Sequence, residues 1–207
     1  MTAYLRKPLP SIRGDDYLDR GAEGQIFVIS KRVVFKCPTK FGNPAPSQEE
    51  EMEESAEKIA HEKSTHELLM KHPHPNIVRC ILCVSEGFFM ERMEATLRTR
   101  IEQYSAVHDV NCLGSNIRLV DFDTSVKIAE ELEVVSEPFA KLNKGRKIPH
   151  AGPITEQFAL GSSIYTIRFG HIPLDGLDPP DKIPKLMNNE FPSSFNGERV
   201  TTQNLEV

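Results

Sequence analysis

The sequence predicts an α+β fold, because its strand-like runs and its helical runs are segregated along the chain instead of alternating. Two β-prone runs, 25–30 and 32–37, are joined by a short polar link, which predicts a β-hairpin. A long charged segment at 48–71 carries apolar residues at helical spacing. Two more strand-like runs follow at 77–85 and 88–93. Together these features predict a β-rich first half with one main helix.

The second half of the chain predicts less regular structure. Residues 117–122 form a short apolar strand candidate, and residues 158–169 predict a buried helix. Several prolines in 173–184 predict a loop with a short helix after it. The polar segment 1–17 is predicted to be irregular, and the tail 193–207 is predicted to be disordered.

Composition narrows the classes of function. The chain has 207 residues, of which 39% are hydrophobic, which is enough for one compact domain or two small lobes sharing a cleft. Its net charge of -5 argues against a nucleic-acid partner, since such partners favour a basic stripe. No run approaches the roughly 18 apolar residues of a membrane helix, and residues 1–10 lack an apolar signal region. We therefore expect a cytoplasmic or nuclear protein without membrane contact.

The four cysteines do not indicate a disulfide framework, and a reducing compartment is the simplest interpretation. Cys80 and Cys83 form a C-x-x-C pair, which could be half of a zinc site or a redox pair. The surrounding run resembles a strand, on which residues three apart point to opposite faces. This spacing favours two ordinary strand cysteines.

Two glycines precede the first strand of the predicted hairpin. Gly21 and Gly24 lie three apart in the sequence Asp-Arg-Gly-Ala-Glu-Gly-Gln-Ile. Glycines at this position let backbone N–H groups approach a phosphate closely, but the same pair could simply form a turn.

A lysine closes the second strand of the hairpin. Lys36 ends the apolar run Val-Val-Phe-Lys, where its charge needs a partner or water. It could reach solvent at the strand end, or it could hold phosphates. A phosphate-binding lysine needs an anion to position it, and Glu62 lies in the middle of the predicted helix. Glu57 and Glu67 on the same helix are alternatives.

This order of features resembles the protein kinases, which combine a glycine loop, a strand lysine and a helix glutamate that pairs with it. The resemblance implies a bilobal fold with a β-rich N-lobe at 18–93, in which a hinge ends at Met93, and a shortened, mainly helical C-lobe at 94–192. In overall style the chain is similar to divergent, fungal kinase-like proteins. The residues that would bind ATP are Gly21, Gly24, Ile26, Val34, Lys36, Met90, Glu91 and Met93. Met90 would be the gatekeeper, and backbone atoms of Glu91 and Met93 would bind adenine.

The second lobe resembles kinases through shorter motifs. In Val-His-Asp-Val-Asn, Asp109 would be the base that accepts the substrate hydroxyl proton. In Leu-Val-Asp-Phe-Asp, Asp121 would bind Mg²⁺. Gly114 stands where the metal-binding asparagine of kinases is expected, and Asn116 comes two residues later. Asn111 comes too early, and either Asn116 or Asn111 would serve as the second metal ligand only if the loop is rebuilt.

The segment between the hinge and the catalytic loop is short. Residues 94–107 would reach only about 21 Å as a helix at about 1.5 Å per residue, which leaves little support for Asp109. Three functions follow from the sequence. The first is an ATP- and Mg²⁺-dependent Ser/Thr protein kinase acting on a protein substrate. The second is a pseudokinase that binds nucleotide or a protein partner without phosphate transfer, and the third is an unrelated α+β binding protein.

Overall fold

The residues described by the computed structural model form an α+β fold with a β-rich sheet region and three named α-helices. The residues that the structure describes are 4–20, 24–96, 99, 117–133, 138–143, 145 and 147–190. The chain divides into two compact units, Met1–Ser125 and Val126–Val207. This division falls later than the predicted lobe boundary after Met93. The predicted disordered tail lies outside the described residues.

The described residues of the first unit form seven strands and one long helix. The strands are β1 (Tyr4–Leu5), β2 (Tyr17–Arg20), β3 (Gln25–Ser30), β4 (Val33–Cys37), β5 (Phe41–Gly42), β6 (Cys80–Val84) and β7 (Gly87–Glu91). The helix is α1 (Pro46–Lys71). The predicted hairpin, the main helix and the two later strands are all confirmed.

Five strands form one antiparallel sheet in the order β2-β3-β4-β7-β6. In its centre, Phe35 lies opposite Phe27 on one side and Phe89 on the other. Because side chains alternate across a strand, these rings share one face of the sheet. Buried Ile12 from the N-terminal segment packs against this face.

Helix α1 packs against the opposite face. Buried Ile59 contacts Cys80 and Phe88 in a second core cluster. The helix begins at Pro46, where a missing N–H costs nothing, and Glu49 lies in its first turn, where a negative charge complements the helix dipole. This packing places the polar residues in the middle of α1 beside the end of β4.

The C-x-x-C pair does not have the predicted geometry. The register of β6 against β7 shifts between Cys80 and Leu82, so Ile81 is an extra residue in a β-bulge. The bulge cancels one step of the alternation and brings both cysteines to the α1 face. Their Sγ atoms lie 3.7 Å apart, so the prediction of opposite faces was wrong.

The N-terminal segment was predicted to be irregular, and this is wrong at two places. Strand β1 pairs antiparallel with β5, and Gly14–Asp16 form a turn of 3-10 helix. The segment is ordered because Leu9 and Ile12 cover the first core cluster. The polar composition of the segment hid these two apolar anchors.

The second unit has its own small core. Its helices are α2 (Pro153–Phe169) and α3 (Pro179–Met187), and Phe158, Leu174 and Leu186 are buried together. Helix α2 confirms the predicted helix, but not its predicted burial, because Leu160 and Ile164 are exposed.

Within the part of the chain that the structure describes, the strand candidate at 117–122 forms a single parallel bridge, between Leu119 and Ile77. Among the helices in the described part of the chain, none combines the length and apolar character needed to cross a membrane.

Candidate functional site

Lys36 lies at the centre of a face built by four of the predicted nucleotide-binding residues. It is opposite Ile26 on β3, and Val34 precedes it by two residues on β4. Val34 in turn is opposite Met90 on β7. Strand alternation therefore places Ile26, Val34, Lys36 and Met90 on the α1 face of the sheet. Lys36 itself is only 7% exposed, so its charge requires a partner.

That partner is Glu62 on α1. The Lys36 Nζ lies 2.7 Å from Glu62 Oε2, and the Glu62 side chain is 1% exposed. The two alternatives that the sequence offered, Glu57 and Glu67, are exposed. The structure thus brings Lys36 and Glu62 together as predicted, and burial distinguishes this glutamate from the other two.

Asp121 contacts the same ammonium group. Its Oδ1 accepts a hydrogen bond of 2.8 Å from Lys36 Nζ, while 61% of the aspartate side chain is exposed. The φ angle of Asp121 is 72°, a left-handed conformation that is uncommon for a residue other than glycine. Strained backbone of this kind clusters at functional sites. The exposed carboxylate leaves its second oxygen accessible to a ligand.

Glu62 also binds the segment that carries Asp121. The backbone N–H of Phe122 donates to Glu62 Oε1 at 3.3 Å. His66 Nε2 lies 3.8 Å from the same oxygen, which is longer than an ordinary hydrogen bond. The His66 ring lies 4.8 Å from the Phe88 ring and 5.4 Å from the Phe122 ring. Glu62 is therefore the point at which β4, α1 and the Asp-Phe segment meet.

Lys36 and Glu62 each stabilise the charged form of the other. Burial lowers the pKa of Lys36, but Glu62 and Asp121 outweigh burial, so that this pKa is raised above its ordinary value. Burial raises the pKa of Glu62, but His66, Lys36 and the Phe122 amide outweigh it and hold this pKa below its usual range. Both groups are therefore ionised at neutral pH.

A second set of contacts joins α1 to the same segment. His61 Nε2 lies 2.7 Å from the carbonyl oxygen of Ser125. The Ser125 hydroxyl donates to the Phe122 carbonyl at 2.7 Å and lies 3.4 Å from the Thr65 hydroxyl. These bonds hold residues 121–125 against the helix that carries Glu62.

Gly24 has a packing role of its own. A Cβ added at Gly24 would lie 2.7 Å from the Cys37 carbonyl oxygen and 3.0 Å from the Ile59 side chain. Only glycine fits between β4 and α1 at this point. This role does not depend on a nucleotide. Three other predicted site residues, Gly21, Asp109 and Asn116, lie outside the described residues.

Glu91 and Met93 were predicted to act through backbone atoms. The Glu91 N–H donates to the Arg79 carbonyl at 3.0 Å, and the Glu91 carboxylate forms an ion pair with Arg118. Met93 is half-buried. The side chain of Glu91 is thus engaged away from Lys36.

Sequence reasoning missed His66 and Phe122 as members of the site. A signal for His66 was present, because it follows Glu62 by four residues and so lies on the same face of α1. Phe122 was read only as part of a motif around Asp121, whereas its amide and ring both contact α1 residues.

No model of a known protein family matches this chain. No curated protein matches it significantly either. The functional argument therefore depends on the geometry of the site.

Proposed function

We propose that this chain is an ATP-binding, protein-kinase-like protein that transfers the γ-phosphate of ATP to a serine or threonine hydroxyl of a protein substrate. The observation that carries the proposal is the buried ion pair between Lys36 and Glu62, with Asp121 on the same ammonium group. Kinases use a strand lysine paired with a helix glutamate, and an aspartate before phenylalanine, to hold ATP and its metal ions.

The surroundings of Lys36 fit a nucleotide. An ammonium group has three N–H donors, and the contacts with Glu62 and Asp121 leave one for a phosphate oxygen. Ile26, Val34 and Met90 form an apolar surface on the same face of the sheet. Such a surface suits the flat, largely apolar faces of a purine ring.

Asp121 supplies the metal-binding chemistry that the proposal needs. Its Oδ2 would hold Mg²⁺, since Oδ1 is engaged by Lys36. A bound Mg²⁺ would neutralise charge on the transferring phosphate. Asp109 is proposed as the base that accepts the proton of the substrate hydroxyl, and Asn116 as the second metal ligand. The carboxylate character of Asp121 matches the oxygen ligands that Mg²⁺ prefers.

One contact favours a second candidate, a nucleotide-binding module that does not transfer phosphate. The 2.8 Å bond between Lys36 and Asp121 engages a carboxylate oxygen that would otherwise be available to a metal ion. A site in which this bond persists would still present an N–H donor to phosphate. It would hold the metal less firmly and lose the positioning that phosphoryl transfer requires.

The decisive experiment combines nucleotide binding with phosphate transfer. Thermal shift with ATP and Mg²⁺, and transfer of labelled γ-phosphate to the chain itself or to a general protein substrate, are measured on wild type, Lys36→Met and Asp121→Asn. Lys58→Met, at a half-buried position of α1 away from Lys36, is the matched control. We expect wild type and the control to bind and transfer, and both site variants to lose transfer.

The outcomes separate the candidates. An ATP-dependent shift in wild type without transfer supports the second candidate. Transfer that persists in both site variants, or the absence of both shift and transfer in wild type, contradicts the proposal.

A further inference from the structure

A cavity of about 410 Å³ lies at one end of the five-stranded sheet, away from Lys36. Lys36 is three residues further along β4 than Val33, which lines the cavity, so about 10 Å of strand separates them. The residues lining the cavity are Arg32, Val33, Arg79, Ile81, Glu91 and Arg118. Three of the six are arginines, although the chain as a whole is acidic.

Strand topology brings these arginines together. Because β7 runs antiparallel to both β4 and β6, the starts of those two strands lie on either side of its end. Arg32 directly precedes β4, and Arg79 directly precedes β6. The Arg92 N–H donates to the Arg32 carbonyl at 2.9 Å, and the Glu91 N–H donates to the Arg79 carbonyl at 3.0 Å. The backbone that carries both arginines is therefore fixed by the sheet.

The charges in the cavity do not cancel. Arg118 forms an ion pair with Glu91, which accounts for the one carboxylate in the lining. Arg32 and Arg79 are exposed, and within the described ranges neither guanidinium has a carboxylate partner. Three positive charges against one negative charge leave a net charge of +2. Such a concave site attracts anions.

We propose that this cavity binds a phosphate monoester group. Such a group carries about -1.5 to -2 charge at neutral pH, which balances the cavity, whereas a single carboxylate would leave it positive. Guanidinium groups bind phosphate oxygens through paired N–H donors. Val33 and Ile81 add an apolar wall for the carbon atoms that carry the phosphate. The site does not rest on the proposed function, because none of its residues contacts Lys36, Glu62 or Asp121 in the described structure.

The test is an NMR or calorimetric titration at constant ionic strength. The probes are inorganic phosphate, a short phosphoserine peptide and the same peptide without phosphate. We expect saturable binding of inorganic phosphate and of the phosphoserine peptide, and no saturable binding of the unphosphorylated peptide. The double variant Arg32→Gln/Arg79→Gln should weaken binding at least about tenfold, since it removes the two guanidinium groups that have no carboxylate partner within the described residues.

The control variant is Arg13→Gln/Lys31→Gln. This variant also removes two positive charges, but from exposed positions outside the cavity lining, one of them adjacent to Arg32. It should change the affinity for phosphate less than about twofold. A peptide that binds more tightly than inorganic phosphate identifies a phosphorylated side chain as the ligand, and equal affinities identify the free ion. No saturable binding to wild type, or an equal loss of binding in the control variant, would overturn the proposal.

Discussion

Replacing Lys36 with methionine tests how much the buried ion pair with Glu62 contributes to the stability of the fold. The substitution leaves Glu62, at 1% exposure, without its main counter-ion. Breaking a buried ion pair from one side costs about 3–5 kcal/mol. If Glu62 instead takes up a proton, the cost at pH 7 is about 3.4 kcal/mol, from about 1.36 kcal/mol per pH unit above its ordinary pKa of 4.5. At pH 5 the cost of this protonation is only about 0.7 kcal/mol.

The assay is a double-mutant cycle with Glu62→Gln. Urea unfolding is followed by circular dichroism, because the chain has no tryptophan. We expect the double variant to be more stable than Lys36→Met at pH 7, with a coupling energy of at least about 2 kcal/mol. The control pair is Glu54 and Lys58, an i,i+4 pair on the same helix in which Glu54 is exposed and Lys58 half-buried, and it should couple by no more than about 0.5 kcal/mol. Additive effects at Lys36 and Glu62 would refute the ion pair.

Three further predictions use other measurements. The pKa of Glu62 is lowered in the folded protein, so its stabilisation should be present above the ordinary value of 4.5 and be lost as the pH falls below it. The pKa of Lys36 is raised in the folded protein, so its stabilisation should be lost as the pH rises beyond 10.5. The free energy of unfolding, measured against pH, should therefore show a plateau between these limits. Gly87→Ala should lower the melting temperature strongly, since its Cβ would lie 2.2 Å from the Lys36 carbonyl oxygen, whereas Gly14→Ala, with open space around it, should have little effect. Burial raises the pKa of Cys80 to about 12, so alkylation followed by mass spectrometry should find this thiol unreactive at pH 7 in the folded protein.

The elements around Lys36 could be predicted because local pattern and tertiary contact agree there. The hairpin consists of two β-prone runs around a short polar link, and the charged helix carries apolar residues at helical spacing. Both elements lie where the sequence places them. The choice of Glu62 among three glutamates could not be made from periodicity. It depends on which turn of α1 lies beside the end of β4, and this is set by packing between distant residues such as Ile59 and Phe88.

The bulge in β6 shows why other features escaped prediction. One extra residue, Ile81, reverses the faces of the residues before it, and no residue type marks such an insertion in a strand. The N-terminal segment escaped for a related reason. Leu9 and Ile12 are isolated apolar residues in a polar context, and only the surface that they cover gives them a role.

The charge of the site leads to a last expectation about ATP. Lys36 contributes one positive charge, while Glu62 and Asp121 each contribute a negative one, so this group is net negative before any ligand binds. A polyphosphate entering such a group meets repulsion from Asp121 unless a cation accompanies it. We therefore expect ATP with Mg²⁺ to bind at least about tenfold more tightly than ATP with a chelator, a coupling of about 1.4 kcal/mol. In Asp121→Asn the repulsion and the metal ligand are both removed, so the Mg²⁺ dependence should shrink while metal-free ATP binds more tightly than to wild type. Calorimetry that finds the same Mg²⁺ dependence in both proteins would show that Asp121 does not face the phosphates.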